Sequence, residues 1–450
     1  MDQERNRRPG GVGKALLGAL LVLVLAAELG AAGLLVWYLR LPKETEAITV
    51  PVTPLQPTEE TAPEPAPTPD PEPDPAQQEL LQARQALLER AYSLAQGYYY
   101  TEALALLDQA DSLRNPQTEA LRQEIAQKQA ELVPYEGDQF YHIFFHSLIV
   151  DTDRAFDGDY DSAGYDLYMT TVSEFKAMLP KLQAAGFILY DITDLVEFRD
   201  GKAVRREILL PPGKKPLVIS VDDVNYYQYM EGDGFAERLD VDETGRVVTV
   251  VDGQPTYDGD VMPILDQYVA EHPEFSWQGA KGVVAITGYE GAFGYRITDL
   301  EDYDAETQAW MLQKTQDVAE ALRGSGWQIA CHSYTHNQYW SDRTITDQQE
   351  QYDIGRWKRD IAPYVGETNI FISPFGVSFA DDDPRLLYLK EQGFTIYCPV
   401  EASMTTRWEN GMLFQSRLNL DGMVMKDYPE RVKRFFFDPD AVLDPARPHG

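Results

Sequence analysis

From about residue 139 onward, short runs rich in β-branched and aromatic residues alternate with amphipathic stretches of helix length. The runs include "YHIFFHSLIV", "PLVISVDD", "GVVAITG", "WQIACH", "TNIFIS" and "FTIYCPV"; the stretches include "TVSEFKAMLPKLQAAG" and "TQAWMLQKTQDVAEALRG". Strands separated by helices cannot close as hairpins, so they pair in parallel with helices packed on the sheet, which predicts a β/α layer or barrel. Asp-Gly pairs at 200–201 and 252–253, each flanked by strand-like residues, predict two hairpin inserts on one rim of that barrel. In such a fold functional side chains gather where the parallel strands end.

The first third of the chain follows other rules. Lys14 to Leu39 carries one charge, Glu28, between its ends. At about 25 residues it is long enough for a tilted bilayer crossing. Arg5, Arg7, Arg8 and Lys14 precede it and acidic sequence follows. This predicts a cytoplasmic N-terminus at 1–13, an uncleaved single-pass anchor at 14–40, and the rest of the chain on the outer face of the cell membrane. Residues 41–76 are rich in proline, which recurs at every second position among carboxylates from Pro63 to Pro75, a composition that cannot bury a core and favours a disordered, extended linker. Residues 77–132 show apolar spacing of i, i+3, i+4 interrupted at Gly97, the pattern of a helical hairpin. Its segment "AYSLAQGYYYTEALALLDQA" resembles a single tetratricopeptide repeat, which needs a neighbour to cover its faces. It reads as either a packing spacer or a docking site for a protein partner.

With 73 acidic and 39 basic side chains the formal charge is -34, which repels phosphate backbones and argues against nucleic-acid binding. The two cysteines, Cys331 and Cys398, allow at most one bridge and are expected as buried thiols. "DTDRAFDGDYDSAGYD" is dense in aspartate. Counted from Asp157, however, Ser162 and Tyr168 stand where a calcium loop needs glycine and glutamate, so it reads as a solvated loop.

Chemistry concentrates at three strand ends: Asp222 and Asp223 after "PLVISV", His332 with His336 after "WQIAC", and Pro374-Phe375-Gly376 after "NIFIS". Alone, a carboxylate pair after a strand is usually an N-cap and turn, and a lone H-x-x-x-H lacks a third ligand. Together they suggest one carboxylate and two imidazoles on a cation, with the second carboxylate free to take a proton from water. Two histidines four apart are expected to share one side of a helical turn.

"SVDD", "HSYTH" and "SPFG" resemble the motifs of the polysaccharide deacetylase (NodB-homology) family of carbohydrate esterases, over roughly residues 140 to 437. The resemblance implies a distorted (β/α) barrel spanning 139–440, with a tail at 441–450. It also implies a metal-dependent hydrolase that de-N-acetylates a cell-wall or cell-surface glycan. By position, Asp223, His332 and His336 would hold the metal, usually zinc; cobalt, iron or nickel also suits such a set. Asp222 would be the general base, and the Phe375 N–H would meet the oxyanion. The chain departs from the family at Val224, Ile372 and Phe375, where glycine, arginine and tyrosine are usual. "RLNLDG" after Arg417 lacks the C-terminal Leu-x-His that supplies the acid, leaving only His449 beyond it. A permuted subgroup resembling the poly-N-acetylglucosamine deacetylases carries that histidine near the start of the domain. "FFHSLIV" fits that pattern and makes His146 the candidate acid, with His142 competing. The departures also allow a barrel that binds glycan without turning it over, or a membrane-anchored scaffold.

Overall fold

The computed structural model describes residues 75–401 and 403–448. The expected cytoplasmic N-terminus, anchor and nearly all of the linker, together with His449, lie outside the described residues. Among the described residues no helix is long and apolar enough to cross a membrane.

The centre is a curled, mostly parallel sheet. Its strands are β1 (Tyr141–Phe145), β2 (Phe187–Leu189), β3 (Lys215–Val221), β4 (Val283–Ile286), β5 (Gln328–Cys331), β6 (Ile370–Ile372), β7 (Ile396–Cys398), β8 (Thr406–Glu409), β9 (Met412–Gln415) and β10 (Leu418–Asn419). Their order is β8-β9-β7-β6-β5-β4-β3-β1-β10, with β2 paired to the first part of β3. Only β8 and β9 run antiparallel. The stretch 412–419 pairs first with β7, continues that register through a Val400–Arg417 bridge, and then pairs with β1. One piece of chain thereby bridges the two ends of the half-barrel.

Side-chain alternation divides the strands between two cores, as a sheet covered on both faces requires. Leu217, Ile219, Val221, Val284, Ile286, Ile329 and Phe371 face an outer layer of helices. That layer comprises α4 (Val172–Ala184), α5 (Val261–Glu271), α6 (Ala305–Gly324) and α7 (Asp347–Asp360). Capping boxes at Thr171/Glu174 and Thr346/Gln349 begin α4 and α7, satisfying amides that a helix start leaves bare. Val218, Val283, Ala285, Ala330, Ile370, Ile396 and Leu413 face inward and share their core with residues 87–125.

That shared core corrects the expected domain plan. Residues 77–132 form no free-standing hairpin but three helices, α1 (Pro75–Gln96), α2 (Tyr100–Gln109) and α3 (Pro116–Ala130). Asn115 caps the third one and Pro116 opens it, a start signal that the periodicity alone conceals. The helices close the inner face of the sheet. Tyr98 stacks on Trp277 at 5.0 Å and its hydroxyl donates to the Glu274 carbonyl at 2.8 Å.

Both Asp-Gly hairpins form, with Asp200 and Asp252 at positive φ, but they do not share a rim. The first puts Val196 and Ala203 into the inner core and bonds to Gly411, where β9 begins. The second joins Arg238–Val241 in a three-stranded sheet on the outer core, next to the loop that follows β3. Cys331 and Cys398 are buried free thiols; they face opposite cores, so they cannot bond.

Candidate metal centre

Asp223 follows β3, His332 follows β5 and His336 comes four residues later; one ligand atom from each lies within 4.8 Å of the others. A tetrahedral site with bonds of ~2.1 Å wants neighbouring donors about 3.4 Å apart, so small side-chain movements close the gap. The His332 Nδ1 lies 2.8 Å from the Ile372 carbonyl, which can only accept, so Nδ1 donates and Nε2 presents its lone pair. That Nε2 stands 3.9 Å from both Asp222 Oδ2 and Asp223 Oδ1. Burial lowers the His332 pKa, with the two aspartates pulling the other way, which favours the neutral ring a ligand must be. Burial alone would raise the Asp223 carboxyl. His336, His332, His146 and the Tyr227 hydroxyl, donating at 2.8 Å, outweigh it and hold the pKa at about 2. The donor set and its protonation suit a divalent cation.

The two histidines do not share a helical turn. Ser333 and His336 take left-handed backbone at φ 62° and 40°, which brings the rings to 4.9 Å. Asp353 on α7 fixes this loop. Buried, it accepts from the Tyr334 N–H, the Thr335 hydroxyl, the Thr335 N–H at 3.2 Å and the Trp340 indole at 3.1 Å. Asp223 and Phe375 are also left-handed, at φ 56° and 53°. Such conformations cost about 1–3 kcal/mol each for non-glycine residues and persist where surrounding bonds over-determine them.

Asp222 points to the inner face, where Arg417 meets it. The guanidinium Nη1 donates to both carboxylate oxygens, at 2.7 and 2.9 Å, and to Ser220 Oγ at 3.2 Å. Both side chains are almost wholly buried, and the Arg417 guanidinium covers Phe144 at 4.2 Å. An arginine therefore orients Asp222, although Ile372 occupies the position where the family motif places one. It arrives from the bridging stretch 412–419, inside the very segment where a histidine is missing. The signal for it was weak: a single arginine between two short strands, among Gln415, Ser416 and Asn419.

His142 and His146 separate. His142 is fully buried on Ser220 Oγ at 3.0 Å, and burial, then Arg417, drives its pKa well below the usual range. It is a neutral interior group. His146 is half-buried, with Nδ1 3.2 Å from the Tyr168 carbonyl, and it lies close enough to act electrostatically on both Asp223 and Asp421. The Phe375 ring lies 4.2 Å from that of His336, and its backbone N–H meets no acceptor among the described residues. Val224 is buried, its backbone tied to Ala285 and Phe293. Asp159, Asp161 and Asp233 form a second acidic group in and beside the loop read as solvated, where 162–168 is in fact a short helix.

The polysaccharide deacetylase family model matches residues 246–396. The match marks a divergent polysaccharide deacetylase domain over that span. The matched span of this deacetylase domain holds His332, His336 and Phe375, while Asp222, Asp223, His146 and Arg417 come from outside it. No curated protein matches the chain. A solved de-N-acetylase from Aggregatibacter actinomycetemcomitans is 14% identical with a TM-score of 0.39, over 63% of this chain and 96% of its own. A likeness that distant carries no argument about chemistry.

Proposed function

We propose that the chain is a metal-dependent de-N-acetylase of an N-acetylated cell-surface or cell-wall glycan, akin to the permuted poly-N-acetylglucosamine deacetylase subgroup. The observation that carries this reading is the meeting of Asp223, His332 and His336 beside an aspartate clamped by an arginine. A divalent ion held by those three residues, zinc being the simplest choice, would polarise an amide carbonyl and make water a nucleophile near neutral pH. Asp222, fixed by Arg417, takes a proton from the attacking water. The Phe375 N–H faces the oxyanion that develops on the substrate carbonyl. His146 protonates the amine nitrogen as the C–N bond breaks, so the products are acetate and a free sugar amine. The arginine clamp favours turnover over a barrel that only binds glycan. The apolar segment at 14–40 would hold the domain on the outer face of the cell membrane.

The test is acetate release from N-acetylglucosamine oligomers by the full chain, stripped with chelator and reloaded with zinc, cobalt, iron(II) or nickel. Release should return with metal, and Asp222→Asn should lower kcat by ~10²–10⁴-fold, the usual worth of a positioned base. Absence of release with every metal sinks the reading.

A further inference from the structure

Behind Asp223 the chain builds a ladder of tyrosines that the reaction above does not use. Tyr227 is buried, with its hydroxyl bonded to Asp223 Oδ1 at 2.8 Å and shared with Thr287 Oγ1 at 3.2 Å. Tyr229 stacks on one side of it, with centroids 5.8 Å apart and planes at 16°; Tyr289 leans on it at 5.6 Å and 43°. These two rings are 55% and 53% exposed, which is unusual for aromatics packed against a buried neighbour. Phe375, itself 52% exposed, has its ring 4.2 Å from that of His336.

The Tyr289 end of the ladder is tied to the site. Asn225, fully buried, donates through Nδ2 to the carbonyls of Tyr289 at 3.2 Å, Thr287 at 3.4 Å and Gly291, and accepts from the Thr287 N–H at 3.2 Å. This pins the loop that carries Tyr289 to the segment that carries Asp223. Gly291 completes the turn: a Cβ there would stand 2.0 Å from the Tyr295 carbonyl oxygen. Exposed rings held in place before any ligand arrives lose little freedom when one binds.

Resting on the deacetylase reading, we propose that Tyr229 and Tyr289 form a stacking shelf for the sugar residues next to the one under attack, so that the substrate is a neutral glycan chain rather than a single sugar. Pyranose faces carry C–H groups that suit the negative face of an aromatic ring, while their hydroxyls stay in water. Besides Asp223, which would hold the cation, the carboxylates of Asp161 and Glu290 act on Tyr229. Glu290 accepts from the Gln228 N–H at 2.7 Å and pairs at 3.6 Å with Arg296, whose guanidinium also serves the carbonyls of Asn225, Tyr226 and Glu290. An acidic glycan is therefore repelled, and the neutral N-acetylated chain is the occupant that fits.

Calorimetry on the metal-loaded full chain tests this with three probes: N-acetylglucosamine, its neutral β-linked hexamers, and a uronic-acid hexamer. The neutral hexamer should bind at least tenfold tighter than the monosaccharide, and the acidic one should not bind. Tyr229→Ala/Tyr289→Ala should weaken the neutral hexamer at least tenfold, while Tyr229→Phe/Tyr289→Phe, which keeps the rings, should restore it. Hexamer affinity that survives the double alanine change, or a wild-type chain that binds no neutral hexamer, overturns the shelf. Acetate release is followed in parallel; its absence while tyrosine-dependent hexamer binding persists overturns deacetylation and supports the shelf.

Discussion

The inner face of the sheet is filled in two ways. Where the parallel strands begin, α1, α2 and α3 close it with apolar and aromatic groups such as Ala91, Tyr98 and Leu107. Where they end, it holds Ser220, Asp222, His332 and Arg417, all buried and polar. One end gains from removing area from water, at about 25 cal/mol per Å². The other must compensate each desolvated charge with a partner, or lose several kcal/mol per ion. Only the second arrangement leaves ligand atoms able to take a cation, which is why the site lies there.

The sharpest way to break that contrast is Arg417→Met. It strands the Asp222 carboxylate in a buried position, so stability should fall by ~3–5 kcal/mol in urea titrations. Acetate release should fall by about 10²-fold as Asp222 loses its orientation. A variant as stable and active as wild type would mean that Asp222 needs no clamp. At the opposite end, Tyr98→Ala should cost ~3 kcal/mol through lost packing. It should leave the pH–rate profile where it was, because no charge is involved; a moved profile would show the two ends to be coupled.

Smaller effects sharpen the polar end. Asp353→Asn keeps the shape but weakens the bonds that hold the histidine loop, so zinc affinity should fall ~10–100-fold by competition with a chelating dye. A melting temperature near that of the wild type would separate this positioning role from a general loss of fold. The smallest effect belongs to Glu350, buried on α7 with Oε1 unpartnered. Burial raises its pKa to about 8; Asp347, Asp383 and Asp353 add to this and Arg385 opposes it. In the unfolded chain the group ionises near 4.5, so between there and about 8 the unfolded state has released a proton that the folded state keeps. Stability contributed by the neutral form is lost as pH rises through that window. Glu350→Gln should therefore raise the melting temperature more at pH 8 than at pH 5, by ~2–4 °C if the gain is about 1 kcal/mol. An equal shift at both would refute the raised pKa.

Much of this was legible in the chain itself. The alternation of β-rich and amphipathic runs predicted parallel strands, and the Asp-Gly pairs predicted both hairpins, because each depends on residues adjacent in sequence. Asp223 and His332 could be named because each follows a strand end, with His336 four residues on, and strand ends on one side of a parallel sheet are neighbours. The left-handed turns at Ser333 and His336 could not be read, since neither residue type requires that backbone; Asp353 and its bonds to the loop impose it.

Local periodicity determined which segments become strands and helices, and residue chemistry determined which side chains could hold an ion. The tertiary structure alone decided that α1, α2 and α3 share the core of the sheet. It also decided that Arg417, 195 residues from Asp222, orients it. The reason is physical: a buried charge is answered by whichever opposite charge the fold brings within reach, and no window of sequence contains both.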